Sequence, residues 1–257
     1  MTAPIRGLLL DLDGTVFQDG ALIPGVKEAL ASLDVAGMPY RFATNMSQRS
    51  RREIAGWLSA MGLDVPPGWI FTSPMAGLVH LEARGLSRVH ALLNDRVLEE
   101  DLGLASVDET PDAVLVGDAE RHFGYERLDA IFRMLMDGVP LVALARNRYY
   151  RREGRLVLDL GPFVAALEYA TGREATIVGK PSTGFFDAAR ALLGLPPENV
   201  LVIGDDLEGD VSGAQRAGMR GVLVQTGKYR AGDEERFGVA PDAVLTSLSE
   251  IGRLLRD

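Results

Sequence analysis

The chain has 257 residues, 47% of them hydrophobic and 25% charged, a composition that supports a real core in one large domain or two modest ones. A formal net charge of −9 and a pI of about 5.0 argue against nucleic acid or an anionic membrane as a partner held by bulk charge, because both need a basic face. The lack of cysteine removes disulfides, thiolate catalysis and cysteine-ligated zinc.

Near the N-terminus, MTAPIRGLLLDLDG carries one arginine and an apolar run too short for a signal peptide. No segment approaches the roughly 18 apolar residues of a membrane span, so the cytoplasm is the expected compartment. Apolar runs then alternate with helical patterns, the sign of an α/β protein with a largely parallel sheet. A buried strand is predicted over 5–10, a helix over 24–35 with proline at its start and Gly37 beyond its end, a strand over 40–45 and a helix over 50–61. Between about residues 76 and 176 a second set follows: strands over 89–93, 113–116 and 141–145, and helices over 97–102, 125–136 and 162–170. RNRYYRREGRLVLDLG, within that block, reads as a loop or hairpin. Afterwards come a strand over 199–206 ending in acids, a helix over 209–217 and a strand over 221–225. The expectation is a doubly wound, Rossmann-like parallel-sheet core, 1–75 and 177–257, with a smaller α/β domain, 76–176, inserted into it.

Chemistry-bearing residues collect where strands end. DLDGT (11–15), ATN (43–45), GKPS (179–182) and GDDLEGD (204–210) each follow an apolar run. In an open parallel sheet, ligands bind outside the carboxyl ends of the strands, so all four stretches are expected at one crevice. Asp11 and Asp13 would repel each other unless a cation offsets them. With Asp205 they supply hard oxygen ligands suited to Mg²⁺. Lys180 brings a charge for a phosphoryl oxygen, Thr44 and Asn45 bring neutral donors, and Gly14 allows a sharp turn that aims backbone N–H groups at an anion. Such a set suits phosphoryl transfer, in which a carboxylate can itself be the nucleophile. Singly, each stretch has an ordinary reading as a turn, a loop or a helix cap; Asp210 would do no more than stabilise a helix N-terminus. Their conjunction, in this order, points to catalysis.

The four motifs in this order resemble those of the haloacid dehalogenase superfamily of phosphatases. The insertion between TN and GKP resembles the cap of its type IIA subgroup, the NagD and p-nitrophenyl phosphatase type. RYYRREGRLVLDLGPFVAALEYATG, VGKPS, GDDLEGDVSGAQRAGM and TGKYRAGDEE are most similar to the phospholysine/phosphohistidine/inorganic pyrophosphate phosphatase-like proteins. This resemblance implies a Mg²⁺-dependent phosphatase acting on a small phosphorylated metabolite through an aspartyl-phosphate. Asp11 would be the nucleophile and Asp13 the general acid/base, its main-chain carbonyl meeting the metal. Thr44 and Asn45 would hold phosphoryl oxygens, Lys180 would neutralise them and orient Asp11, and Asp205 would be a metal ligand supported by Asp206 and Asp210. Mammalian members of the most similar clade carry Ser where this chain has Asp13, a difference that favours ordinary ester hydrolysis over pyrophosphate or P–N substrates. Relatives commonly pair through their caps, so the resemblance allows a homodimer.

In the loop 145–154, Arg148 and Tyr149 are the first choices for contacting the rest of a substrate, against the plain alternative of a solvated basic hairpin. His80, His90 and His122 read as structural, Phe123 and Tyr125 as packing at a helix start, and 228–238 as a charged surface turn and helix. Three rivals stay open: a phosphotransferase or mutase using Asp11, a catalytically silent phospho-ligand-binding module, and a dehalogenase. Nothing supplies a second acceptor for the first. The intact set of Asp11, Asp13, Thr44, Lys180 and Asp205 counts against the second, and Asp13 with the GDD stretch counts against the third.

Overall fold

The computed structural model describes residues 3–119, 122–152 and 155–254. The chain forms two compact units, Met1–Thr44 with Ala55–Phe71 and Lys180–Asp257, and Asn45–Ile54 with Thr72–Gly179.

The first unit is built on a six-stranded sheet in the order Ala243–Leu245, Arg220–Val224, Val200–Gly204, Gly7–Leu10, Tyr40–Thr44, Ile70–Thr72. Gly7–Leu10 runs parallel to both of its neighbours, with Leu10 opposite Ile203 on one side and Phe42 on the other. Leu8, Leu9 and Leu10 are fully buried, as expected for a parallel strand covered on both faces, whose sequence is apolar throughout rather than alternating. From this central strand the chain first winds outward through Tyr40–Thr44 and Ile70–Thr72, and later returns to its other side through Val200–Gly204 and Arg220–Val224. The order therefore reverses at Gly7–Leu10, the place where such sheets open a crevice. A small hairpin, Phe17–Gln18 with Ala21–Leu22, lies just after the first motif and was not expected from the sequence.

The second unit has its own parallel sheet in the order Thr176–Ile177, Leu141–Ala143, Ala113–Val116, Val89–Leu92. The stretch 146–161 does form a hairpin, Tyr149–Arg152 against Arg155–Leu158; Glu153, Gly154 and the side chains of Arg151 and Arg152 lie outside the described residues. Phe123 packs as expected, stacked on Phe163 at 3.9 Å. Tyr125 does not: it is 83% exposed, because it opens a helix, Tyr125–Met136, whose buried stripe is Ile131 and Leu135.

The unit boundaries fall elsewhere than the expected 75/76 and 176/177. Thr176–Ile177 is the fourth strand of the second sheet, which carries that unit on to Gly179. The segment Asn45–Ile54 also belongs to the second unit, and its bonds say why. Ser73 Oγ donates to the Asn45 carbonyl at 2.9 Å, and the Asp118 N–H donates to Ser47 Oγ at 3.0 Å. Ser50 and Glu53 form a reciprocal capping box, while Ser50 Oγ donates to Glu100 at 2.7 Å. Buried Asp101 accepts from both the backbone N–H (3.0 Å) and Nε (3.2 Å) of Arg51, and Arg96 pairs with Glu53 at 2.6 Å. The helix Arg51–Ala60 thus begins in one unit and ends in the other.

Two expected helices are wound differently. Asp95–Val97 continues into a π-helical turn, Leu98–Leu102, and a second π-helical turn, Leu207–Ser212, precedes the short helix Gly213–Arg216. Such turns are rare and concentrate at functional places. Among the described residues no helix is long and apolar enough to cross a membrane.

Candidate active site

The carboxyl end of Gly7–Leu10 delivers Asp11, whose N–H continues the ladder to the Ile203 carbonyl at 2.9 Å. The chain then turns within a few residues: the N–H groups of Thr15, Val16 and Phe17 all return to the Leu12 carbonyl. One strand over, Val200–Gly204 ends at Asp205 and Asp206. The Asp206 carboxylate caps the π-helical turn through the Gly209 N–H at 2.8 Å, and the turn swings Asp210 back, so that its Oδ2 accepts from the Asp206 N–H at 3.2 Å.

Lys180 lies among these acids, 6% exposed. Its Nζ donates to Asp11 Oδ1 at 2.5 Å, to Asp210 Oδ1 at 2.6 Å and to the Ala43 carbonyl at 3.1 Å. Burial alone would discharge this lysine, but the charges of Asp11 and Asp210 and their hydrogen bonds outweigh it and raise its pKa. Oxygens of Asp11, Asp205 and Asp210, all three residues buried, lie within 4.8 Å of one another. Burial, then the charges of Asp11 and Asp210, push Asp205 well above the usual carboxyl range. Burial also pushes Asp210 up to about 7 against the pull of Lys180. Three clustered hard carboxylate oxygens, with Asp205 and Asp210 disfavoured as free anions, are chemically matched to a divalent cation, which would reverse both shifts.

Asp13 reaches solvent, yet enough protein surrounds it that desolvation raises its carboxyl, while Lys228 and Lys180 pull it the other way. Asp206 is held below the usual range because Lys228, the Gly209 N–H and Lys180 together outweigh its burial. Thr44 closes the strand Tyr40–Thr44 and is buried next to Ala43, whose carbonyl meets Lys180. The first unit therefore gathers Asp11, Lys180, Asp205, Asp206 and Asp210, with Asp13 and Thr44 at the same strand ends. Asn45, Arg148 and Tyr149 are carried by the second unit; Arg148 is exposed and Tyr149 is 56% exposed where the hairpin starts. His90 is structural, with Nδ1 at 3.0 Å from the Val107 carbonyl.

Sequence reasoning missed one participant. Lys228 follows the strand Arg220–Val224, which pairs with Val200–Gly204. Its backbone N–H donates to Asp205 Oδ2 at 2.6 Å and its Nζ to Asp206 Oδ2 at 2.9 Å. The signal available was position: like DLDGT, ATN and GDDLEGD, TGK stands just past the carboxyl end of a core strand. Asp205 fits only because glycine flanks it twice. A Cβ at Gly14 or Gly227 would stand 2.1 or 1.9 Å from Asp205 Oδ2, and both residues have positive φ, +83° and +57°.

Comparison with known proteins agrees with this geometry. A family model described as haloacid dehalogenase-like hydrolase matches residues 8–103, and a second model for HAD-type hydrolases matches 177–251. Haloacid dehalogenase-like hydrolase domain-containing protein 2 of Bos taurus is 44% identical over 237 residues, 92% of this chain and 90% of that protein. The chain is a haloacid dehalogenase-like hydrolase. Within that family it is 39% identical over 259 residues to the phospholysine phosphohistidine inorganic pyrophosphate phosphatase of Rattus norvegicus, covering 98% of this chain and 94% of that one. The crystal structure of a 4-nitrophenylphosphatase from Thermotoga maritima superposes with a TM-score of 0.92 at 31% identity, covering 98% of both chains. A glycerol phosphate phosphatase from Mycobacterium tuberculosis, in complex with calcium, superposes with a TM-score of 0.88 at 28% identity over 96% of this chain and 74% of that one. The fold is thus the α/β fold of NagD-type members, and the named relatives are phosphatases.

Proposed function

We propose that this HAD-family phosphatase is a Mg²⁺-dependent hydrolase of small phosphomonoesters that works through an aspartyl-phosphate on Asp11. The observation that carries the reading is the buried Lys180 held between Asp11 and Asp210 at the sheet's switch point. Asp11 and Asp205, with the main-chain carbonyl of Asp13, would hold the Mg²⁺; Asp210 supports them, since both its oxygens already accept, from Lys180 and from the Asp206 N–H. Bound there, Mg²⁺ supplies positive charge against the phosphoryl oxygens and makes the carboxylate cluster tolerable.

Lys180 fixes one oxygen of Asp11, leaving the other to attack phosphorus in line. As the Asp11–phosphorus bond forms, the bond from phosphorus to the ester oxygen breaks, and Asp13 gives its proton to that oxygen. Asp13, now ionised, takes a proton from a water that attacks the acyl phosphate, which releases inorganic phosphate and restores Asp11. A raised Asp13 pKa supports the acid role, because the proton is retained to higher pH than in an ordinary carboxyl. Thr44 and Asn45 bind phosphoryl oxygens. The second unit serves as the cap, and its exposed Arg148 and Tyr149 contact the remainder of the substrate.

The test is inorganic phosphate release from p-nitrophenyl phosphate, nucleoside monophosphates, sugar phosphates, glycerol phosphate, pyridoxal phosphate, pyrophosphate and phospholysine. Each is run with Mg²⁺, with a chelator and with Asp11→Asn. Release that requires both Mg²⁺ and Asp11, strongest on a monoester, is the expected result. A folded protein that releases nothing from any of them would favour the phospho-ligand-binding module instead.

A further inference from the structure

We propose that Lys228 is a second cation of the active site, offsetting its carboxylates so that a dianionic phosphoryl group can enter; this rests on the function proposed above. An ammonium has three N–H donors, and those of Lys180 already meet Asp11, Asp210 and the Ala43 carbonyl. Lys180 is thereby committed to orienting the carboxylates, which leaves the charge of an arriving phosphate to other groups. With Asp13 holding the proton it will donate, Asp11, Asp205, Asp206 and Asp210 bring four negative charges against the two lysines. With Mg²⁺ in place the site is neutral, and without Lys228 it would be one charge below neutral.

Lys228 is built in, not loosely attached. Thr226 Oγ1 donates to the Gly14 carbonyl at 2.5 Å, the Gly227 N–H to Gln18 Oε1 at 3.3 Å, and the Lys228 N–H to Asp205 at 2.6 Å. Tyr229, the next residue, packs on Leu207, Val211 and Leu223. The turn is fixed on both sides, and the Lys228 side chain, 54% exposed, has Asp206 as its ion-pair partner. An ion pair this exposed contributes little to stability. Its effect falls on the local field, since its Nζ stands 2.9 Å from Asp206 Oδ2 and its N–H 2.6 Å from Asp205 Oδ2.

The test compares wild type with Lys228→Met and Lys228→Arg. Mg²⁺ affinity is measured calorimetrically without substrate, and kcat and KM for p-nitrophenyl phosphate at saturating Mg²⁺. Lys228→Met is expected to bind Mg²⁺ about threefold to tenfold more tightly, having lost a competing positive charge. Its KM should rise about tenfold with kcat changed less than about threefold, and Lys228→Arg should restore both. A merely supporting residue would lose metal affinity on replacement. Weaker Mg²⁺ binding, or an unchanged KM, in Lys228→Met would overturn the assignment while leaving the phosphatase reading intact. A wild type that neither binds Mg²⁺ nor releases phosphate would remove both together.

Discussion

Replacing Lys180 with methionine should produce a stability loss that grows with pH. The substitution leaves Asp11 and Asp210 facing each other in the interior with one carbonyl, that of Ala43, also unpaired. Removing one member of a buried ion pair costs about 3–5 kcal/mol if the other stays charged. Here protonation provides relief. Asp210 already titrates at about 7, raised from 3.8 chiefly by burial, so at pH 6 it takes up a proton at almost no cost. In wild type the folded state therefore holds this extra proton between pH 3.8 and about 7, and stability falls across that window and then levels. Without Lys180 the folded-state pKa of Asp210 rises further, so this group keeps costing the variant stability above pH 7, where its contribution in wild type has levelled. At about 2–4 °C per kcal/mol for a chain of this size, the apparent Tm should drop by roughly 6–20 °C at pH 8.5 and about half of that at pH 6. Thermal unfolding of both proteins at the two pH values, in chelator so that no divalent cation compensates, measures the gap. A gap that is equal at the two pH values, or narrower at pH 8.5, would refute the reasoning.

Asp13→Asn should separate substrates by leaving group. Nitrophenolate departs without a proton, so kcat on p-nitrophenyl phosphate should fall about tenfold or less, whereas kcat on glycerol phosphate should fall about 10²- to 10⁴-fold; equal losses would remove Asp13 from the acid role. Gly227→Ala places a Cβ 1.9 Å from Asp205 Oδ2 at a φ of +57°, so Asp205 must move. Calorimetric Mg²⁺ affinity should weaken about 10- to 100-fold, and an unchanged value would show that Asp205 does not hold the ion.

The fold was legible because its signals are local. A run such as LLL with no polar alternation fits a strand covered on both faces, and acids directly after it mark the strand's carboxyl end. Asp11, Asp205 and Asp206 are gathered by that rule, since they stand just past two strands that the core sheet sets side by side, whereas Lys180 follows Thr176–Ile177, a strand of the second sheet, and returns to the first unit to meet them. Asp210 was harder to read. Four residues beyond Asp206 on an α-helix it would simply cap, but the π-helical winding of Leu207–Ser212 brings its carboxylate back to Lys180. Lys228 was missed because a lone lysine in a charged turn carries no spacing, and its importance comes from a backbone N–H, which no side-chain pattern records. Nor does any local pattern tell that Arg51 belongs to Asp101, fifty residues away.

That last bond has a consequence for protein engineering and for how such chains exchange parts in evolution. An inserted domain is usually pictured as a cassette with one entry and one exit, here Thr72 and Gly179. Cutting at those two points would leave Ser50, Arg51 and Glu53 behind without Glu100, Asp101 and Arg96, and a helix start stripped of its acceptors directly after Thr44. A transplant from a relative would have to bring its own version of residues 45–54 along with its cassette. The interchangeable unit in this chain is therefore discontinuous, and a chimera designed on the longer segment alone should express as a core whose second motif is frayed.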